Sequence, residues 1–260
     1  MTPNLKFLQA VLKAILVLLS GIAFRISFTP PNGRSVPPPR PPLSEGFFAL
    51  REWLLMSVLV ARIFPIEMPL YYIAAINEAL FILSTPIPFI KGVLPHLDIL
   101  TNTDNTQLTP RFIGSALLSI AGGVSRIVCY RTLGDAFIYD CARVEAHAVA
   151  TNPGITNGPM LITHGPYSIV RHPSYVACWM AVIGSGLVHL IDGSWIKESG
   201  ILNTLIGKAL VYSWLGAFGV TLVLLALRVE PEDQLMKKQF GERWEQWNEK
   251  VRYKLIPWVY

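Results

Sequence analysis

The sequence of 260 residues has little charge, since Asp, Glu, Lys and Arg make up only 15% of it. Soluble domains average roughly 25% of these residues. Apolar residues make up 52%, and the mean hydropathy is +0.43. This composition excludes an ordinary soluble domain and is typical of an integral membrane protein. The net charge of +5 suits cytoplasmic loops that face anionic lipid.

Cysteine and cofactor-binding loops are also scarce. The three cysteines, Cys129, Cys141 and Cys178, have no CxxC spacing, which argues against a disulfide framework and a zinc site. We interpret them as small apolar residues in or near helices. The sequence has no glycine-rich strand-to-helix loop and no P-loop, and its histidines have no metal-ligand spacing. Common nucleotide-binding and metal-binding motifs are therefore absent.

Long apolar runs are what the sequence does have, and several approach the roughly 20 residues needed to cross a bilayer. The runs cover residues 5–24, 47–64, 70–90, 112–129, 174–192 and 204–227. The run 47–64 also contains Arg51, Glu52 and Arg62, so it either crosses the membrane or lies on its surface. We expect Pro65 and Pro69 to break the helix after it. The sequence predicts an all-α integral membrane protein with five to six transmembrane helices.

These runs divide the chain into four parts. Residues 1–28 form an N-terminal membrane anchor, because no cleavage site for a signal peptide follows the first apolar run. Residues 29–46 form a linker that begins "TPPNGRSVPPPRPPLS" and contains seven prolines in that stretch; a ligand for an SH3-type domain is the alternative. Residues 47–110 hold additional membrane helices and a polar loop. Residues 111–260 form the core and the C-terminal tail.

The last two apolar runs form a hairpin, since only residues 193–203 connect them. The loop 130–173 and the tail 228–260 must therefore lie on the same side of the membrane. The tail contains seven Lys or Arg residues, and its Trp and Tyr residues suit an interface. We place this side in the cytosol.

A polar segment, "HGPYSIVRHPSY" at 164–175, lies at the first end of the hairpin. Gly165-Pro166 predicts a turn, and Pro173 predicts the entry to the next helix. The free N–H groups of that helix would favour an anion beside Arg171 and His172. A basic interfacial anchor is the alternative. It explains Arg171, but not why Tyr167, His172 and Tyr175 crowd one turn.

A second polar segment, "RVEPEDQL" at 228–235, lies at the other end of the hairpin. Arg228 and Glu232 share one face if the helix continues through Pro231. The arginine suits a carboxylate and the glutamate suits an ammonium group. A snorkelling arginine beside a solvated acidic turn is the alternative. Glu78, inside the run 70–90, is either functional or faces a neighbouring helix or a wet cavity.

Two motifs in order carry a resemblance to a known family. "LITHGPYSIVRHPSY", followed after the hairpin by "RVEPEDQLMKKQFGERWEQW", is similar to the isoprenylcysteine carboxyl methyltransferase family. The segment "LGDAFIYD" at 133–140 also resembles that family, and the likeness covers about residues 111–258. The first 90 residues are similar only in being hydrophobic.

The resemblance implies S-adenosylmethionine as cofactor and methyl transfer to the C-terminal carboxylate of a prenylated cysteine in proteins. It implies a cytosolic-face cofactor pocket built from the loop and the tail, an endoplasmic reticulum location and a lipophilic substrate from the bilayer, with no metal or nucleic acid. Arg228, which would bind the substrate carboxylate, and Glu232 would be the catalytic residues. The positions implied to contact the cofactor are Met160, Leu161, Ile162, Tyr167, His172, Pro173, Ser174, Tyr175 and Glu232.

Elementary chemistry agrees with that expectation. A carboxylate is already ionised at neutral pH, so methyl transfer needs no general base. Catalysis would then consist mostly of positioning. The chain departs from the family pattern at Pro159, Ala177 and Asp233, and in the long segment 142–158. These departures bear on the choice of substrate more than on the cofactor.

Three other functions compete with this one. A methyltransferase with the same cofactor site could act on a phospholipid amine or a small lipophilic metabolite. Membrane sterol reductases have a similar Gly-Pro-Tyr and Arg-His-Pro-x-Tyr sequence but use NADPH and have more spans, and the Arg-x-x-x-Glu motif favours the methyltransferase. A non-catalytic membrane scaffold is disfavoured, because Tyr167, His172, Arg228 and Glu232 occur together.

Overall fold

The computed structural model of the chain describes residues 2–29, 64–93, 105–134 and 161–260, together with positions 50, 53, 54 and 57. The proline-rich linker, the question whether the run 47–64 crosses the membrane, and Met160 fall outside these residues. Helices make up the regular structure of the described ranges, which contain no strand. The helices are α1 (Pro3–Phe28), α2 (Phe64–Ser84), α3 (Pro88–Val93), α4 (Pro110–Leu133), α5 (Pro173–Leu190), α6 (Trp195–Glu198), α7 (Leu205–Phe240) and α8 (Glu242–Lys250), with 3₁₀ turns at Gly165–Ser168 and Ile201–Asn203.

Four of the described helical stretches are long and apolar enough to cross a bilayer: α1, α4, Pro173–Glu198 and α7. At 1.5 Å per residue, the 26 residues of α1 cover about 39 Å, more than the ~30 Å hydrocarbon core. A shorter apolar stretch, Met68–Ser84, lies within α2. The prediction of an all-helical integral membrane protein is confirmed. Of the predicted five to six spans, the described residues provide four long ones.

Prolines and threonines mark where these helices begin. Pro173 is the first residue of α5, as predicted, because the first turn of a helix does not need its N–H. Thr109 caps α4, its hydroxyl accepting from the N–H of Phe112 at 3.2 Å. Pro65 and Pro69 were expected to break a helix, but α2 begins at Phe64 and contains both.

Close packing of α1, α4 and α5 forms the centre of the bundle. A Cβ atom on Gly122 of α4 would collide with the backbone of Ala181 of α5, and one on Gly184 would collide with that of Ser119. The Ser119 hydroxyl lies 3.2 Å from the carbonyl oxygen of Ala181. Small residues at crossings are how membrane helices approach each other closely. This packing fixes the relative positions of the carboxyl end of α4 and the amino end of α5.

The opposite end of the bundle, which we call the far end, buries its own ionisable groups (Lys13, Glu78 and His189). Lys13 Nζ donates to the carbonyl oxygen of Asn105 at 2.7 Å. Glu78, 1% exposed, accepts from the backbone N–H of Trp195 at 2.6 Å and lies 4.0 Å from His189 Nδ1. Glu78 therefore faces neighbouring elements, away from both polar segments.

Candidate active site at the end of the α5–α7 hairpin

The two polar segments meet in space. His172 Nε2 lies 3.0 Å from Asp233 Oδ1, and the Tyr175 hydroxyl donates to Glu232 Oε2. His172 Nδ1 lies 3.8 Å from Glu232 Oε1. These four residues form what we call the polar cluster. The described end of the loop and the tail therefore lie together at one end of the helical bundle, in agreement with the prediction from the hairpin.

Helix α7 continues through Pro231, so Arg228 and Glu232 share one face as expected. Arg228 Nε lies 3.5 Å from Glu232 Oε2. Arg228 and Asp233 are each only 4% exposed. The alternative of a snorkelling arginine beside a solvated acidic turn is therefore wrong, because both residues are enclosed by protein on a continuous helix.

Arg171 holds the C-terminal segment against the loop. Its Nε and Nη2 lie 3.2 and 3.0 Å from Asp233 Oδ2, and its Nη1 donates to Asn248 Oδ1 at 2.6 Å. The same Nη1 donates to the carbonyl oxygens of Val251 and Arg252 at 2.9 and 3.1 Å. We call this set of contacts the Arg171 clamp. Its planar, multi-donor geometry suits arginine and not lysine.

Backbone hydrogen bonds reinforce the clamp. The N–H of Arg171 donates to the carbonyl oxygen of Tyr253 at 2.9 Å, and the N–H of His172 donates to that of Lys254 at 2.8 Å. The sequence suggested that Arg171 was an ordinary interfacial anchor, but it is 6% exposed. Its partners lie 62 to 81 residues further along the chain, so local sequence gave no sign of them.

Three residues predicted to contact the cofactor lie in a hydrophobic cluster that adjoins the polar cluster. Ile162 and Tyr167 are buried in a hydrophobic cluster with Trp244 and Trp247 of α8, and Leu161 packs against it. Trp247 Nε1 donates to the Tyr167 carbonyl at 3.1 Å. Burial raises the pKa of the Tyr167 phenol above its ordinary value, so the phenol stays protonated at neutral pH.

The other predicted residues lie in or beside the polar cluster. His172, Tyr175 and Glu232 are in it, and Arg228 adjoins it. Pro173 begins α5, and Ser174 joins the polar cluster to α4 through Arg126. His164, the most conspicuous histidine of the first motif, is exposed.

Arg126 was not predicted as a site residue. Its Nη1 donates to the Ser174 carbonyl at 2.9 Å and contacts the Ser174 hydroxyl, and its Nε donates to the Tyr130 hydroxyl at 2.8 Å. An arginine inside the apolar run 112–129 was a usable signal, because charged residues within membrane helices are expensive and commonly functional.

An open groove of about 600 Å³ lies beside Tyr130, between α1, α2 and α4. This volume is within the range of small-molecule sites. Aliphatic side chains form part of it, and polar groups stand among them. The lining residues are Ile22, Arg25, Ile26, Thr29, Tyr72, Ile127 and Tyr130.

The polar cluster has the groups for proton transfer. Glu232 is its accessible member, with a side chain 23% exposed against 3% for His172 and 5% for Asp233. Asp233 orients the His172 ring, and the Tyr175 hydroxyl donates a hydrogen bond to Glu232 Oε2. The described residues hold no group of three His, Cys, Asp or Glu residues that could bind a metal ion.

Comparisons with known proteins find likenesses to sterol-synthesis proteins. The "Ergosterol biosynthesis ERG4/ERG24 family" matches residues 146–260. A delta(14)-sterol reductase of Schizosaccharomyces pombe is 26% identical over 145 residues, which are 52% of this chain and 30% of that protein. A delta(14)-sterol reductase of Neurospora crassa is 26% identical over 117 residues, 40% of this chain and 24% of that protein. This chain thus spans less than a third of either relative. No solved structure matches the chain.

These likenesses overturn the methyltransferase assignment. The family resemblance, S-adenosylmethionine as cofactor and methyl transfer to prenylated proteins were wrong, because the matching family and both curated relatives are sterol-synthesis proteins. The Gly-Pro-Tyr and Arg-His-Pro-x-Tyr sequence did not distinguish the two families. The small number of spans does not argue against similarity to a reductase, since the chain matches only a part of each relative.

Proposed function

We propose that this protein is a membrane reductase that reduces a carbon–carbon double bond of a sterol, with NADPH as the hydride source. One observation carries the proposal. The polar cluster, which joins His172 and Tyr175 to Glu232 and Asp233, lies within residues 146–260, the part similar to the ergosterol-synthesis family. The two relatives are named for a delta(14) double bond, and we propose a Δ14-unsaturated sterol as substrate.

The chemistry of the polar cluster fits a nicotinamide nucleotide. Its carboxylate Glu232 suits ribose hydroxyls as an acceptor, and the adjacent Arg228 suits phosphate or amide oxygens as a donor. Glu232 is the partly exposed member of the polar cluster, and Arg228 Nε lies 3.5 Å from its carboxylate. We assign the cofactor to the Glu232 side of the polar cluster. Leu161, Ile162 and Tyr167, which the sequence predicts to contact a cofactor, pack in the adjoining hydrophobic cluster, and we propose that they support this side.

Reduction places a hydride on one carbon of the double bond and a proton on the other, and a bound NADPH supplies the hydride and leaves as NADP⁺. We assign the proton to the Tyr175 hydroxyl, which is hydrogen-bonded to Glu232. Glu232 orients this hydroxyl and, being partly exposed, returns a proton to it from solvent. Asp233 keeps His172 in one orientation beside them.

The substrate is lipophilic and reaches the protein from the bilayer. The groove beside Tyr130 suits such a molecule because aliphatic side chains line it and Ile22 is 52% exposed on the outside of α1. We propose that residues 111–260 carry the activity, with 1–28 as an anchor, 29–46 as a linker and 47–110 as additional membrane segments. We propose an endoplasmic reticulum location, with the polar cluster and the C-terminal tail on the cytosolic side.

Purified protein in lipid nanodiscs tests this function. With a Δ14-unsaturated sterol and NADPH deuterated at the transferred position, we expect a product that has gained one hydrogen and one deuterium, detected by mass spectrometry. Tyr175→Phe and Glu232→Gln should lower kcat by about 10²–10⁴-fold, the usual contribution of general acid–base catalysis. Glu230→Gln is the matched control, because Glu230 lies on the same turn of α7 with its carboxylate directed to Lys254 and solvent.

The expected pattern is activity in the wild type and in Glu230→Gln, with loss in the other two variants. Absence of sterol reduction in the wild type would overturn the proposed function. Equal activity in all four proteins would overturn the role of Tyr175 and Glu232.

A further inference from the structure

Arg126 is a buried charge in a membrane helix and lies outside residues 146–260, the part that matches the family. It lies near the carboxyl end of α4 and is 5% exposed. A charged side chain at membrane depth costs free energy unless its donors are satisfied. The contacts that satisfy this guanidinium therefore show what it holds in place.

On one side, Arg126 holds the first turn of α5. Its Nη1 donates to the Ser174 carbonyl at 2.9 Å and contacts the Ser174 hydroxyl. Ser174 directly precedes Tyr175, whose hydroxyl donates to Glu232. Pro173 restricts the backbone on the other side of Ser174. A shift of Ser174 would therefore move Tyr175 relative to Glu232.

On the other side, Arg126 holds the groove residue Tyr130. The guanidinium donates from Nε to the Tyr130 hydroxyl at 2.8 Å and lies 4.8 Å from the ring centroid. The Tyr130 hydroxyl lies 3.2 Å from the carbonyl oxygen of Ile26 in α1. Arg126 and Tyr130 together thus join α1, α4 and α5, with Tyr130 in the lining of the groove and Ser174 next to Tyr175 of the polar cluster.

We propose that Arg126 is a positioning residue for reduction: it fixes Tyr175 opposite Glu232 and fixes Tyr130 in the groove, so that the proton donor and the lipophilic substrate keep one relative geometry. This inference rests on the proposed function. A guanidinium is suited to the task because its planar fork reaches two partners in fixed directions, which an ammonium group cannot do.

Arg126→Lys removes the planar guanidinium and keeps the positive charge. Arg126→Met removes both the guanidinium and the charge. We expect kcat to fall by about tenfold to a hundredfold in Arg126→Lys and further in Arg126→Met, since a displacement of about 1 Å costs this much in a preorganised site. The Kd for NADPH, measured without turnover by fluorescence, should stay within about twofold. Arg131→Lys and Arg131→Met are the matched controls, because Arg131 lies in the last turn of the same helix and is exposed.

A double-mutant cycle separates positioning from general weakening. If Arg126 acts through Tyr175, then Arg126→Lys should lower kcat little further in a Tyr175→Phe background, because the group that it positions is already absent. Full additivity of the two losses would overturn the proposal. A parallel fall in kcat and in the amount of folded protein would overturn it as well.

Hydrogen exchange gives a readout that does not depend on the reaction. In Arg126→Lys, amides in the first turn of α5 should exchange faster, and those near Glu78 at the far end should exchange as in the wild type. Unchanged exchange at the first turn of α5 would overturn the positioning role, whether or not the wild type reduces a sterol. Faster exchange there, with no sterol reduction in the wild type, would overturn the proposed function and retain the placement of Tyr175 by Arg126.

Discussion

The two ends of the helical bundle both bury ionisable side chains, but they use them differently. At the far end, Lys13 and Glu78 each hydrogen-bond a backbone group, and neither is more than 4% exposed. In the polar cluster, side chains contact other side chains, and Glu232 remains partly exposed. Burial of a charge inside a membrane protein is therefore a weak sign of function by itself. Side chains that converge and remain accessible are a better one.

The largest expected effect on stability is at the Arg171 clamp. Arg171→Met would leave Asp233 buried without its guanidinium partner, and breaking a buried pair in this way costs about 3–5 kcal/mol. The midpoint of thermal unfolding in detergent should fall, and the C-terminal segment should become sensitive to protease. Arg252→Met is the control, because the side chain of Arg252 is exposed and only its carbonyl joins the clamp. Equal unfolding midpoints in the two variants would show that the clamp does not stabilise the protein.

A smaller effect is expected at Glu78, where we predict lost stability without lost activity. Glu78→Leu leaves the N–H of Trp195 without its acceptor, which costs about 1–3 kcal/mol. Glu78→Gln keeps an acceptor and should recover most of this stability. Sterol reduction per folded molecule should equal that of the wild type in both variants.

The contrast between the two ends depends on that result. If Glu78→Gln lowered kcat as strongly as Glu232→Gln, the far end would be part of the catalytic machinery. The buried charges of the two ends would then not differ in role.

The smallest effect is expected at the N-terminal cap of α7, also away from the polar cluster. Thr204 accepts from the N–H of Gly207 at 3.0 Å, and Thr204→Ala should cost about 1 kcal/mol, as cap substitutions generally do. Ser213→Ala, at an exposed hydroxyl on the same helix, should change stability by less than about 0.5 kcal/mol. Thermal unfolding of both variants measures the difference. A larger loss in Ser213→Ala than in Thr204→Ala would contradict the capping role.

Much of the fold could be predicted from the sequence, because each membrane helix corresponds to one continuous apolar run of residues. The runs at 5–24, 112–129, 174–192 and 204–227 correspond to α1, α4, α5 and α7. The short connection 193–203 also predicted that the two polar segments meet. Element ends were harder, as at Pro69, which lies inside α2 although proline usually interrupts helices.

The candidate site was predicted only where its residues follow helical spacing or chain topology. Arg228 and Glu232 are four residues apart on one helix, so their contact could be anticipated. Arg171 could not be understood in this way, since its acceptors lie in the distant C-terminal segment. Arg126 was visible as a charge in an apolar run, but its partner Ser174 depends on how α4 and α5 cross. The family assignment failed for a different reason, because the motifs used for it are common to two families.

The Arg171 clamp has a consequence for synthesis of the protein on the ribosome. Arg171 leaves the ribosome before the hairpin, whereas Asn248 and Val251, two of its acceptors, follow late in the chain. Because chains emerge from the amino end, the membrane helices can insert before the clamp is able to close. Until the C-terminal segment has been synthesised, the Arg171 guanidinium has to be solvated by water or by lipid headgroups. A chain that stops before Asn248 would therefore insert its membrane helices but lack these acceptors for the Arg171 guanidinium.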